Sequence, residues 1–432
     1  MKTDLTSQDW ETARRVLKAV LRDPALADLQ PEFRTLVAGV NRLGRKHARQ
    51  QQVLALPPAP VRRDLPPCYI CKARHDQRHP SNPSLCPSCG EVNSNRRSAR
   101  ADLSGRVAVL TGGRVKIGYQ ASLKLLRDGA RVIVTTRFPK DAARRYAQEP
   151  DVAEWQGRLS LYGLDLRDLR AVQGFIDHLR ATEAHLDILI NNAAQTISRP
   201  PEFYAHLLGG ERQAPSTLPP ASPIPSAAVG LQILHPAQLA MIEGTGQRAA
   251  LDHHFPPGEL DADGQQLDLR PGNSWSALLS EVGTREMLEV QLVNASAPFM
   301  LCSGLRGLLL ASPFERRFIV NVSAMEGQFA RRSKTDRHPH TNMAKAALNM
   351  LTRTSGPDLA KSGIYMTSVD TGWVTNENPH PKAERMAGLG FVPPLDVIDG
   401  ASRIYHPIVS GLLQQGRPLF GVFLKDYRPY AW

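Results

Sequence analysis

The sequence predicts an α/β protein: a doubly wound, mainly parallel sheet of seven strands, preceded by a small N-terminal helical and cysteine-bearing module. Three observations lead there. From Leu103 onward, short apolar runs alternate with helical periods, the pattern of βαβ units whose crossover helices cover both faces of a parallel sheet. The first apolar run opens into a glycine-rich turn and then a helix. Ahead of this region, four cysteines fall within 22 positions as two CxxC pairs.

At 432 residues the chain can hold one large domain and a smaller one. No run approaches the roughly 18 apolar residues that span a bilayer. The N-terminus also lacks the basic-then-apolar plan of a signal peptide, so a cytoplasmic protein without membrane contact is expected. The net charge of +12 is concentrated at the front, where residues 1–100 hold 18 Lys and Arg against 9 Asp and Glu. Such an excess suits an acidic partner. Solvated helix faces are the simpler account of it.

Residues 1–55 read as an amphipathic helical segment. Trp10, Ala13, Val16, Leu17, Val20 and Leu21 share one helical face, and Phe33, Leu36, Val37, Val40 and Leu43 share another that starts at Pro31. Residues 56–101 hold a Pro-rich stretch, the cysteine module and a polar, basic linker. Residues 102–432 form the sheet domain. Strands are expected at Val107–Thr111, Arg131–Thr136, Leu159–Leu164, Leu186–Ile190, Arg317–Val322, Ile364–Val369 and Leu419–Leu424. Between about residues 200 and 284 the alternation gives way to Pro, Gly, Ala and Ser. A structureless loop of that length is unusual in a compact domain, so it reads as an insertion that is partly disordered or forms a lid.

Cys68, Cys71, Cys86 and Cys89 have the spacing that closes a tetrahedral thiolate site around a structural Zn²⁺, with no open position for catalysis. His75 and His79, between the pairs, are then not needed as ligands. Cys302 stands alone in an apolar helix, and this usage suits a reducing compartment. Tyr69 is the one aromatic residue near the cysteines that could stack on a base, so nucleic acid is disfavoured as a partner.

The turn Thr111-Gly112-Gly113-Arg114-Val115-Lys116-Ile117-Gly118 lies between a strand and a helix N-terminus. Such a turn lets backbone N–H groups and the helix dipole face a pyrophosphate. With Asn191-Asn192-Ala193-Ala194, the run Phe318–Gly327 and Thr341-Asn342-Met343-Ala344-Lys345, it resembles the short-chain dehydrogenase/reductase superfamily from about Leu103 to the C-terminus. The resemblance implies a Rossmann-type sheet and a nicotinamide cofactor. It assigns cofactor contacts to Thr111, Gly112, Gly113, Arg114, Lys116, Ile117 and Gly118 of the turn, although Lys116 stands where the family has its middle glycine. Asp165 falls beside the adenine, Asn192 and Ala193 behind the turn, and Thr371, Gly372 and Val374 around the nicotinamide, with Thr371 in place of proline. After the second strand the family's NAD-type members carry an acidic residue, but this chain has Thr136-Arg137. That favours NADP(H) over NAD(H), because a guanidinium can pair with a 2′-phosphate.

The departures concentrate at the chemistry. Lys345 keeps the family's ribose-binding lysine and Asn294 its relay asparagine, while Thr341 replaces the proton-donating tyrosine and Ala324 the carbonyl-polarising serine. Ser323 is one residue away and on a strand points to the other side. A threonine hydroxyl is too weak an acid for the tyrosine's task. His340 or His338 can donate instead, since imidazole titrates near neutrality. Arg331, Arg332, Lys334 and Arg337 make the same loop cationic, so the substrate, a carbonyl or alcohol, is expected to tolerate negative charge. The resemblance therefore implies an NADP(H)-dependent oxidoreductase with an atypical proton donor. The alternative is an inactive NADP(H)-binding sensor or scaffold working through its zinc-bearing N-terminus. A small-molecule substrate or metabolite, a protein partner for the basic module and a homo-oligomer are the partners expected.

Overall fold

Apolar runs with no polar face, such as Val107–Thr111, can be satisfied only where both sides of a strand are covered. A computed structural model describes residues 65–212, 252–261, 263–331 and 333–432, with residues 6, 8, 9, 11, 12, 15 and 16. It gives two compact units, Met1–Leu65 and Pro66–Trp432. In the first, the described residues from 8 to 16 are helical, and Asp9 Oδ2 accepts the backbone N–H of Thr6 at 2.8 Å at the helix start. The rest of the two expected N-terminal helices, the Pro-rich run to residue 64, residues 213–251 and Arg332 lie outside the described residues.

In the second unit the strands are β1 (Val107–Thr111), β2 (Arg131–Thr136), β3 (Leu159–Gly163), β4 (Ile188–Asn191), β5 (Arg317–Ser323), β6 (Ile364–Asp370), β7 (Val422–Lys425) and β8 (Arg428–Tyr430). They form one sheet in the order β3-β2-β1-β4-β5-β6-β7-β8. β1 to β7 are parallel and β8 is antiparallel on β7. The helices that position the site are α1 (Pro87–Ser98), α2 (Lys116–Arg127), α3 (Pro139–Ala147), α4 (Leu169–Thr182), α5 (Thr284–Gln291), α6 (Ala297–Gly304), α7 (Pro339–Lys361), α8 (His380–Gly388) and α9 (Val397–Leu413). Alternate strand residues serve opposite faces. Ala108, Leu110, Val132 and Val134 pack under Leu123 and Leu126 of α2 and Ile404 and Ile408 of α9. Val109, Ile133 and Leu189 pack under Phe175 and Ile176 of α4 and Leu301 of α6. No helix among the described residues is long and apolar enough to cross a membrane.

The sheet has one strand more than the seven expected. Asp426 (φ 47°) and Tyr427 (φ 69°) form a two-residue turn with both central residues left-handed, so the tail folds back as β8. Such turns ordinarily announce themselves as Asn-Gly or Asp-Gly, and Asp-Tyr hides this one. β7 also starts at Val422 rather than Leu419.

The cysteine segment is joined to the sheet through α1. The side-chain amide of Asn93 donates to Asp399 Oδ1 at 2.7 Å, and its Oδ1 accepts from Arg403 Nη1 at 3.1 Å and from the Tyr427 hydroxyl at 3.0 Å. Arg97 pairs with Asp396 and Asp399, each at 2.7 Å, beside the start of α9.

Candidate functional site

The chain leaves β1 and β4, adjacent in the sheet, toward opposite sides, and a crevice opens at their C-terminal ends. There the structure holds a cleft of about 640 Å³, within the range of small-molecule and cofactor sites. Its lining includes Gly112, Arg114, Lys116, Ile117, Gly118, Arg137, Asp165, Asn192 and Ala193, all expected cofactor contacts. Thr111 acts from behind: its Oγ1 accepts the backbone N–H groups of Asn192 and Ala193, both at 3.0 Å. Asn192 returns the contact, its side-chain amide donating to the carbonyls of Thr111 (2.9 Å) and Gly112 (3.1 Å). The Asn-Asn-Ala-Ala run thus holds the glycine turn in shape. All three glycines of the turn are tightly set, and Gly113, expected at the cofactor, faces the core instead, where a Cβ would lie 2.6 Å from Val134 Cγ1. A Cβ on Gly118 would lie 2.2 Å from the Gly112 carbonyl oxygen, and Gly112 itself has φ 75°. Lys116, where the family has glycine, keeps the left-handed backbone at φ 56°.

At the outer end of the cleft, Arg137 donates to the Tyr204 hydroxyl at 2.8 Å and lies over the Tyr204 ring at 4.5 Å. Arg114, an expected cofactor contact, lines the cleft with its guanidinium already engaged. It is 7% exposed, and its guanidinium is engaged by Asp141 at 2.8 Å and by Gln265 Oε1 at 3.3 Å. Lys116 Nζ stands 3.8 Å from Asp263. Tyr204, Asp263 and Gln265 come from the aperiodic 200–284 stretch, so no sequence signal pointed to them. Asp165 is buried and held by the Arg167 fork, with Nη2 at 2.7 Å. Burial alone would raise its pKa, but the hydrogen bonds and charge of Arg167 prevail and keep it below the ordinary carboxylate value.

At the inner end the lining is Thr375–His380 rather than Thr371, Gly372 and Val374. Gly372 (φ 79°) turns beside the Tyr69 hydroxyl, and Val374 is buried against Gly400. The expected direct contacts from these three are shifted a few residues along the chain.

The four candidate catalytic residues do not line the cleft. Asn294 lies in a π-helical turn, Leu292–Ser296, that separates α5 from α6. Its side chain clamps Gln195, accepting from the backbone N–H and donating to the carbonyl, both at 2.8 Å. Lys345 is 4% exposed and donates from Nζ to the Val322 carbonyl at 2.8 Å; burial pushes its pKa down to about 8. Thr341 is 1% exposed, and its hydroxyl has no hydrogen bond among the described residues. His340, 2% exposed, likewise makes no ring hydrogen bond among them, and its Nε2 is 3.9 Å from Glu286 Oε1. Burial lowers its pKa. His338 serves the backbone instead, stacked on Trp275 at 4.0 Å with Nδ1 2.8 Å from the Trp275 carbonyl. Among the described loop cations, Arg331 pairs with the Glu326 carboxylate, Lys334 donates to the Glu326 carbonyl and Arg337 to the Ser276 carbonyl.

The Sγ atoms of Cys68, Cys71, Cys86 and Cys89 all lie within 4.8 Å of one another. A tetrahedral Zn–S site with bonds of about 2.3 Å sets sulfurs roughly 3.8 Å apart, so the four fit such an ion after a small contraction.

The family model for short chain dehydrogenase matches residues 106–206. An uncharacterized protein, R665, of Acanthamoeba polyphaga mimivirus is 32% identical over 358 residues, 79% of this chain and 71% of that one. The chain belongs to the short-chain dehydrogenase/reductase superfamily. The Drosophila melanogaster WW domain-containing oxidoreductase is 37% identical over 95 residues, 21% of this chain and 23% of that one. NADPH-bound carbonyl reductase from chicken fatty liver superposes with a TM-score of 0.48 at 18% identity, over 76% of this chain and 100% of that one.

Proposed function

We propose that the chain is an NADP(H)-dependent oxidoreductase of the short-chain type, acting on a carbonyl or alcohol, with a structural zinc on its four cysteines. One observation carries it: the cleft at the sheet's switch point is walled by the glycine turn and Asn192 and ends at Arg137, with an uncharged Thr136 where a carboxylate would repel a 2′-phosphate. The nicotinamide, when bound, gives or takes a hydride at the substrate carbon. The chain's part is to bind, orient and supply the proton. The turn and the α2 N-terminus receive the pyrophosphate, Arg137 the 2′-phosphate, and Lys345 the ribose once its amine leaves the Val322 carbonyl. His340 is the proton donor once its ring turns from its buried position toward the cleft, with Glu286 beside it to support the protonated form.

The buried position of Thr341, His340 and Lys345 behind the cleft favours a second reading, an NADP(H) sensor without turnover. The two are separated by titrating the purified chain with NADPH and then offering a panel of aldehydes and ketones. The enzyme reading expects turnover that drops about 10²-fold in His340→Gln with NADPH affinity kept. Because burial lowers the His340 pKa, reduction should already be slowing as pH rises below 6.5. Tight binding with no turnover on any carbonyl would leave the sensor. One zinc per chain, by elemental analysis of protein purified without chelators, tests the metal site.

A further inference from the structure

The cysteine module and the cleft meet through one stretch of chain. After β6 the chain makes an excursion, residues 374–394, before returning into α9, and its segment Thr375–His380 lines the cleft. The feet of that excursion are tied together, the backbone N–H of Leu395 donating to the Trp373 carbonyl at 3.3 Å. Each foot is also held by the module. The Tyr69 hydroxyl, from between Cys68 and Cys71, accepts the backbone N–H of Trp373 at 2.8 Å. The Asn82 side-chain amide, from between Cys71 and Cys86, donates to the Pro394 carbonyl at 3.0 Å. Both holding residues are positioned by the cysteine fold: Tyr69 N donates to the Ser84 carbonyl at 2.9 Å, Ser84 N to Asn82 Oδ1 at 3.0 Å, and Cys86 N to Cys68 Sγ at 3.3 Å. The approach is close. A Cβ on Gly372 would lie 2.5 Å from Leu395 Cδ1 and 3.3 Å from the Tyr69 hydroxyl.

Neither hydrogen bond belongs to the sheet ladder, which is complete without them. They act only on the excursion. The module's own apolar cluster is small, centred on Cys68, Leu85 and Cys86, so the geometry of Tyr69 and Asn82 depends on what gathers the four sulfurs. We infer that the four-cysteine module is a metal-dependent brace for the cleft, with Tyr69 and Asn82 as positioning residues. With zinc bound, the two side chains hold the feet of the excursion and keep residues 375–380 over the bound nucleotide. Without it, the feet are released and the cleft loosens. This rests on the nucleotide reading of the cleft.

The test uses the full chain loaded with zinc, the variants Tyr69→Phe and Asn82→Ala, and their combination. Hydrogen exchange across residues 374–394 is read first, because it needs no ligand. Each single variant should retain its zinc, and exchange there should quicken about 3- to 10-fold, with about 10- to 30-fold for the pair. Protection of β1, β4 and β5 should stay as it was. The NADPH dissociation constant should rise by comparable factors, and chelation of the parent chain should reproduce both effects, with zinc restoring them. Unchanged exchange in 374–394 in the zinc-loaded double variant, or on chelation, overturns the brace. A parent chain that binds no NADPH refutes the nucleotide reading instead, and the exchange result still decides the brace.

Discussion

Lys345 keeps the family's lysine in a buried resting position. Its ammonium is buried and donates to a backbone carbonyl, and burial holds its pKa at about 8 against about 10.4 in an unfolded chain. Between these values the unfolded chain keeps a proton that the folded chain has released, so folding gains from rising pH. The penalty is present in full below pH 8 and is relieved by roughly 3 kcal/mol on the way to pH 10.4. Urea unfolding of the parent and of Lys345→Met from pH 7 to 10 isolates this contribution. Their difference should move in favour of the parent as pH rises, and a flat difference would mean that the lysine is solvated. Lys116 shows another kind of retention. The backbone keeps the glycine-like φ of 56°, at a cost of about 1–2 kcal/mol for a residue with a Cβ, and in return sets an amine 3.8 Å from Asp263 at the mouth of the cleft.

At the scale of elements, α1 shows how a small module is fixed to a large sheet. Asn93 is 3% exposed and its side-chain hydrogen bonds run to α9 and to the β7–β8 turn: to Asp399, Arg403 and Tyr427. Asn93→Ala leaves those partners buried with unmet hydrogen bonds and should cost about 1–3 kcal/mol, measured by urea unfolding. Asn93→Asp should be worse, since its carboxylate would face Asp399. What was legible in the sequence follows the strength of the local signals. β1 to β6 show as apolar runs because buried parallel strands have no polar face. β8 was hidden because Asp426-Tyr427 lacks the glycine that marks a left-handed turn. Gly112, Gly118 and Asn192 could be placed in the cleft because their roles are backbone roles fixed by position. Tyr204, Asp263 and Gln265 could not, since nothing periodic locates the stretch that supplies them. The identity of Thr341, His340 and Lys345 was plain, but not that their side chains would pack behind the cleft. That depends on α5, α7 and the Trp275 segment meeting.

At the scale of the molecule, the cleft's two ends are served by different additions to the sheet. The outer end takes Tyr204, Asp263 and Gln265 from the insertion, and the inner end lies under the excursion that the cysteine module braces. Arg137 stands at the outer end, and a charge-assisted hydrogen bond to a phosphate is worth about 1.5–3 kcal/mol. Arg137→Ala should therefore weaken NADPH by about 10- to 100-fold and leave NADH nearly unchanged. Parallel titrations of the two nucleotides check this, and equal losses would show that the arginine serves Tyr204 rather than a 2′-phosphate. The last strand settles a separate matter, how the sheet ends. Lys425 pairs with Arg428 across the turn and Leu424 with Pro429, and in a two-residue hairpin that second pair turns its amide positions outward. Proline has no N–H to present there, the strand is three residues long, and arginine adds charge. A foreign strand offered to this margin would find neither length nor donor to align on, so the protein is guarded at this end against accretion into fibres.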